Sequence, residues 1–166
     1  MANRAFPTHL KVVIAESIVA SSAATLSVTA LDVPVWAMFV GWISFFTRGM
    51  NLKQGAINLG CVLIGVGLGI GAALAMAALT PLLGSYTLGA VVFAITGIAL
   101  SLAKAPAFNN LLGFFLGLVA YFASHQPPSV AAFTMLASAA TLGTMAAFIA
   151  HSLQRRIQRG RGVAAH

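Results

Sequence analysis

Six stretches of apolar residues, separated by short polar or Pro/Gly breaks, organise the chain: approximately 10–30, 33–47, 54–79, 85–103, 107–123 and 129–153. A helix rises 1.5 Å per residue, so a hydrocarbon core of about 30 Å takes about twenty helical residues. The first, third, fourth and sixth runs meet that length. The second and fifth are short, and must cross untilted, thin the bilayer or be shielded by neighbours. The pattern predicts an all-α integral membrane protein with six transmembrane helices.

The breaks have local chemistry. Asp32 before Val33-Pro34 is placed to cap the second helix, with Pro34 in its first turn, where a missing N–H costs nothing. Arg48-Gly49-Met50-Asn51 reads as a polar turn. Thr80-Pro81, Ala105-Pro106 and Gln126-Pro127-Pro128 are expected to end the third, fourth and fifth runs, because the residue before proline is pushed out of helical geometry.

Composition sharpens this picture. Of 166 residues 60% are hydrophobic and 7% charged, against about a quarter charged in soluble domains. So few charges cannot cover a soluble surface, and lipid must solvate most of it. The net charge of +7 would suggest nucleic acid in a soluble protein, but here the basic residues fall between apolar runs and report topology instead. With six spans, Arg4, Lys11, Arg48, Lys53, Lys104, Arg155, Arg156, Arg159 and Arg161 all lie on one side, and Asp32 lies on the other. Five or seven spans would split the set. Cytoplasmic Lys/Arg excess then puts both termini inside, in a bacterial inner membrane. The first run has the basic start and small-residue end of a signal segment. Its length and its Glu16, Ser21 and Ser22 favour a retained span, and the next segment starts outside either way.

Cys61 is the only cysteine, which excludes an internal disulfide and a cysteine metal cluster. The four histidines (His9, His125, His151, His166) lie near segment ends or the C-terminus without i, i+4 pairing, so no metal and no cofactor is expected. Small residues four apart mark packing faces that let helices approach closely in lipid. They are Gly65, Gly69, Ala73 and Ala77 with the adjacent Gly67, Gly71 and Ala75; Ala139, Gly143 and Ala147; and Ser17, Ser21, Thr25 and Thr29. The glycines of 65–71 lack the spacing and strand context of a nucleotide loop.

Sliding the chain against itself by 76 residues lays Phe39-Val-Gly41-Trp-Ile-Ser-Phe45-Phe46 over Phe115-Leu-Gly117-Leu-Val-Ala-Tyr121-Phe122, with three of eight positions identical. The same shift superposes the two short runs, and Gly67 on Gly143. Three spans per copy force opposite orientations, so the expected architecture is an inverted 3+3 repeat (8–78 and 84–154) within one domain of residues 1–154, followed by a basic cytoplasmic tail, 155–166.

Trp36-Ala37-x-Phe39-x-Gly41, then Phe45-Phe46 and Leu52-Lys53, then Ile95-Thr96-Gly97-Ile98, then Phe115-x-Gly117-x-x-Ala120-x-Phe122-Ala123 resemble the bacterial inner-membrane family called "domain of unknown function 1097". The likeness runs from the first run to the sixth. The stretch from Trp36 to Gly71 is also distantly similar to the fusaric-acid-resistance type of membrane domain, which implies export or anion conduction. A proline is expected just before the second Phe-x-Gly, and this chain has Gly113 there.

Glu16 is the only acidic residue within a span. An intramembrane carboxylate is costly and marks a functional candidate. Its structural reading is a pair with Lys11, Arg48, Lys53 or Lys104, with Glu16 on the protein-facing side of the first helix. Asn58, Asn109 and Asn110 fall in the same leaflet. They act either as glue between helices or, with Glu16, as an inward-opening polar vestibule rimmed by Arg48, Lys53 and Lys104. Phe45-Phe46 and Tyr121-Phe122 end the two short helices at opposite faces, as interfacial aromatics or as paired hydrophobic constrictions. The first functional expectation is a channel or transporter for an unidentified small solute, and the second is a structural or assembly protein. No paired carboxylate, Ser/His pair or zinc motif marks an enzyme. Membrane lipids and further copies of the chain are the expected partners, and nucleic acid is not.

Overall fold

The computed structural model describes residues 7–106 and 108–163, with side chains to residue 160. Six α-helices follow in order: α1 (Thr8–Thr29), α2 (Val35–Phe46), α3 (Leu52–Leu83), α4 (Thr87–Leu102), α5 (Leu111–Ala123) and α6 (Val130–Val163). A single 3-10 turn, Gly84–Tyr86, joins α3 to α4. Three helical stretches are long and apolar enough to cross a membrane, Thr8–Thr29, Leu52–Leu102 and Val130–Gly160; Val35–Phe46 and Leu111–Ala123 are shorter apolar helices. The middle stretch doubles back. Gly84 takes φ +53, a left-handed conformation that suits glycine, and Ala99 near the end of α4 packs with Cys61 near the start of α3.

The short helices are 12 and 13 residues, or about 18 and 20 Å at 1.5 Å per residue. Each packs one face against α3 and α6 at the centre and leaves the other exposed, at Ile43 on α2 and Val119 on α5. Val33, Ala37, Val66, Tyr121, Leu136 and Ala139 form one apolar cluster drawn from all four. Helix α1 flanks this core beside α2 and α6 through Ala23, Met38 and Ala146. Helix α4 flanks it on the α3–α5 side. The outer faces stay apolar: Phe93 is 83% and Leu88 62% exposed, a surface that suits acyl chains and not water.

Several local expectations change. Pro81 lies inside the last turn of α3, which runs on to Leu83; Gly84, with its positive φ, ends the helix instead. Asp32 does not cap α2: its own φ is +50, and the N-cap is Pro34, without a side-chain bond. Asn51, Asn110 and Ser129 do cap, accepting from Gln54 N (3.0 Å), Gly113 N (3.1 Å) and Ala132 N (3.1 Å). The Ser/Thr stripe of α1 faces outward, and the buried α1 residues are Val12, Ala23 and Ser27. Ser21, Thr25 and Thr29 donate to the carbonyls of Ile18, Ser21 and Thr25 on their own helix. Self-satisfied hydroxyls carry no unmet bond into lipid, so they need no protein partner.

One end of the bundle gathers the start of α1, the end of α2, the start of α3, the end of α4, the start of α5 and the end of α6. Lys11, Arg48, Lys53, Lys104, Arg155, Arg156 and Arg159 therefore share that end, and Asp32 sits at the other. Arg4 and the side chain of Arg161 lie outside the described residues. The arginine-bearing stretch is a direct continuation of α6.

Candidate functional site

Four glycines bring the core helices into backbone contact. A Cβ added to Gly41 would overlap the carbonyl oxygen of Ala140, and one on Gly143 that of Met38. Across the molecule, a Cβ on Gly117 would overlap the carbonyl of Val62, and one on Gly65 that of Phe114. The α2–α6 and α3–α5 crossings thus carry the same contacts. Residues 38 and 41 of the short helix α2 correspond to 114 and 117 of α5, 76 apart. Residues 62 and 65 of α3 correspond to 140 and 143 of α6, 78 apart. The partner of Gly143 in this comparison is Gly65; Gly67, which a constant shift of 76 would choose, has nothing within 4 Å. One of the extra two residues lengthens α5, 13 residues against 12 in α2, and the other lengthens the connection that follows, 124–129 against 47–51.

The ends of the short helices match as well. Phe45 and Phe46 meet edge to face at 5.1 Å, Tyr121 and Phe122 at 5.4 Å. In each pair the first ring is buried and the second exposed. Phe45 and Tyr121 are therefore core residues, and Phe46 and Phe122 are turned to the outside.

The polar chemistry sits at the basic end, where the end of α2 meets the start of α5. Asn110 Nδ2 donates to Thr47 Oγ1 (2.7 Å) and to Asn58 Oδ1 (2.8 Å). Asn58 Nδ2 donates in turn to the carbonyls of Arg48 (2.9 Å) and, at longer range, Phe45 (3.5 Å). Thr47 donates to Ser44 O (2.7 Å). A helix leaves its last carbonyls unpaired; here Asn58 of α3 and the Thr47 hydroxyl supply α2 with the donors it lacks. Asn110 uses its other atom, Oδ1, to cap α5. Both amides are buried and their polar atoms are bonded, as burial in an apolar surround requires.

Of the residues expected to form a polar vestibule, the structure joins Asn58, Asn110 and the backbone of Arg48. The two amides close on each other. Asn109 is exposed, as are Lys53 and Lys104. Arg48 Nη1 is a buried atom without a hydrogen-bond partner among the described residues. Glu16 is half-buried on α1, and no described residue stands within hydrogen-bonding or ion-pairing distance of its carboxylate. The expected pairing is thus not made, because α1 packs on α6 and α2 through Ala23 and Val19, while the amides are held between α2, α3 and α5. Thr47 was missed from the sequence. Its signal is a hydroxyl placed just after the Phe45-Phe46 pair.

The space between the core helices is filled by Met38, Phe45, Val66, Phe114 and Leu136. An apolar groove of about 490 Å³ opens sideways between α3, α4 and α5, walled by Met76, Val92, Ile95 and Phe115. No cluster of three potential metal ligands occurs among the described residues.

The family described as "Protein of unknown function (DUF1097)" matches residues 13–151. The chain belongs to this family. The match covers α2, α3 and α5, both glycine crossings and α6 as far as His151, before the arginines. The DUF1097 match bears on the first of the two resemblances; the second, to the fusaric-acid-resistance type, has no counterpart in it. No curated protein and no solved structure matches the chain.

Proposed function

We propose that this DUF1097 chain is a channel or transporter for a small solute, of six spans in a bacterial inner membrane, with both termini cytoplasmic. It is built as an inverted 3+3 repeat and is closed in the form described. The observation that carries this reading is the residue-by-residue match of the two glycine crossings. In each, a short helix of one half lies on a long helix of the other, so the halves grip one another across their interface. Inverted repeats of an odd number of spans place the solute path at that interface. The basic end faces the cytoplasm by the Lys/Arg rule. Phe45 and Tyr121 are the equivalent aromatic plugs near the two ends of the path. Membrane lipids cover the outer apolar faces, and the open glycine face of α3, at Gly67 and Gly71, is offered to a second copy.

The alternative, an assembly protein without transport, is favoured by the filled interior between the core helices. Flux through reconstituted vesicles separates the two. Liposomes containing the purified chain, challenged with a panel of small neutral and ionic solutes, should pass at least one faster than empty liposomes. Equal rates for every solute would favour assembly.

A further inference from the structure

We infer that Asn58, Asn110 and Thr47 form a latch that holds the basic end of the half-to-half interface shut, and that this is the end that opens. Asn110 belongs to the second half, and Thr47 and Asn58 to the first. The two bonds from Asn110, 2.7 and 2.8 Å long, are the only side-chain-to-side-chain hydrogen bonds among the described residues. Two more bonds cross the interface, Cys61 Sγ to Phe108 O (3.7 Å) and Thr144 Oγ1 to Gly41 O (3.1 Å).

The opposite end is held differently. Using the offsets of the glycine crossings, the counterpart of Asn58 is Leu136, that of Asn110 is Pro34 and that of Thr47 is Ala123. Leu136 is buried beside Val33, Ala37 and Tyr121. The hydroxyl of Tyr121 donates to Gln126 O within its own half (3.3 Å). Opening that end would bring buried apolar surface to water, with nothing gained in return. Opening the basic end uncovers Phe45 as opening the other uncovers Tyr121, but at the basic end the broken amide–amide bonds are replaced by bonds to water, a nearly balanced trade. The flanking chain can follow: residues 47–51, 103–106 and 108–110 are not in regular helix, and Gly49 takes φ +54.

Cys61 lies one turn behind Asn58 on α3 and is fully buried. As the only cysteine in the chain, it reports on the latch without any engineered label. The inference rests on the transport reading only for what the opening admits, and thiol labelling needs no solute. Its failure therefore leaves the flux result standing, and a silent flux panel leaves the latch standing.

The test is the rate at which a water-soluble maleimide labels Cys61 in the full-length protein, with Cys61→Ser as the blank. Asn110→Ser keeps a good helix cap but is too short to reach Thr47 and Asn58, and Thr47→Val removes one acceptor. Each should raise the labelling rate, Asn110→Ser by about tenfold, the size expected from losing one or two bonds of the closed form. Tyr121→Phe, at the other end, should leave the rate at the wild-type value. If Asn110→Ser elutes as an aggregate, Thr47→Val decides alone. Wild-type rates in the latch variants, or an equal rise in Tyr121→Phe, would overturn the inference.

Discussion

At Gly117 the chain has no room for a methyl group, since the carbonyl of Val62 occupies the place of the missing Cβ. At Gly67, two residues from Gly65 on the same helix, nothing stands within 4 Å. Alanine is the better helix former by about 1 kcal/mol, so the two sites predict opposite signs. Gly117→Ala should destabilise the protein by about 1–3 kcal/mol, the cost of overpacking, and Gly67→Ala should be neutral or slightly stabilising. Thermal melting in detergent reads both. Asn58→Ala should cost a further amount of the same order, about 1–3 kcal/mol, because it takes the Asn58 donor from the Arg48 carbonyl and the Asn58 acceptor from one N–H of the Asn110 amide, whose bond to Thr47 remains. The amides were legible in the sequence as helix glue. Their pairing was not, because residues 58 and 110 meet only where the start of α3 packs against the start of α5. Nor could spacing choose between the stripes Gly65/Gly69 and Gly67/Gly71. Both repeat every four residues, and the partner helix decides which one packs.

Among the elements, the apolar runs gave all six helices, because in lipid the run of apolar residues is itself the signal. Their ends were harder to read. Proline at 81 was expected to stop α3, but in the final turn it costs little and the helix passes through it. The packing face of α1 was also misassigned, since small polar residues satisfied on their own helix are as much at home in lipid as at an interface. This difference is testable. Ser21→Leu, on the exposed face, should change stability by no more than about 0.5 kcal/mol. Ala23→Leu, placed between Met38 and Ala146, should cost about 1–3 kcal/mol. The same melting assay checks the pair, and equal effects would mean that α1 docks by its other face.

For the whole molecule, the proposed arrangement is two halves of three helices that enter the membrane in opposite senses, and the equivalent glycine crossings between them support it. The short helices α2 and α5 make this arrangement demanding. Each is about 18–20 Å long, short of a hydrocarbon core of about 30 Å, and leaves one apolar face exposed, at Ile43 and Val119. Were either to stop short and turn back, the helices after it would be inverted, and the basic residues would no longer share a side. Reporter fusions placed along the chain measure that arrangement directly. Fusions after residues 50, 105 and 160 should report the cytoplasm, and fusions after 32, 83 and 126 the opposite side. The fusion after residue 105, between α4 and α5, is decisive: a cytoplasmic signal there agrees with two inverted halves, and a signal from the far side contradicts them.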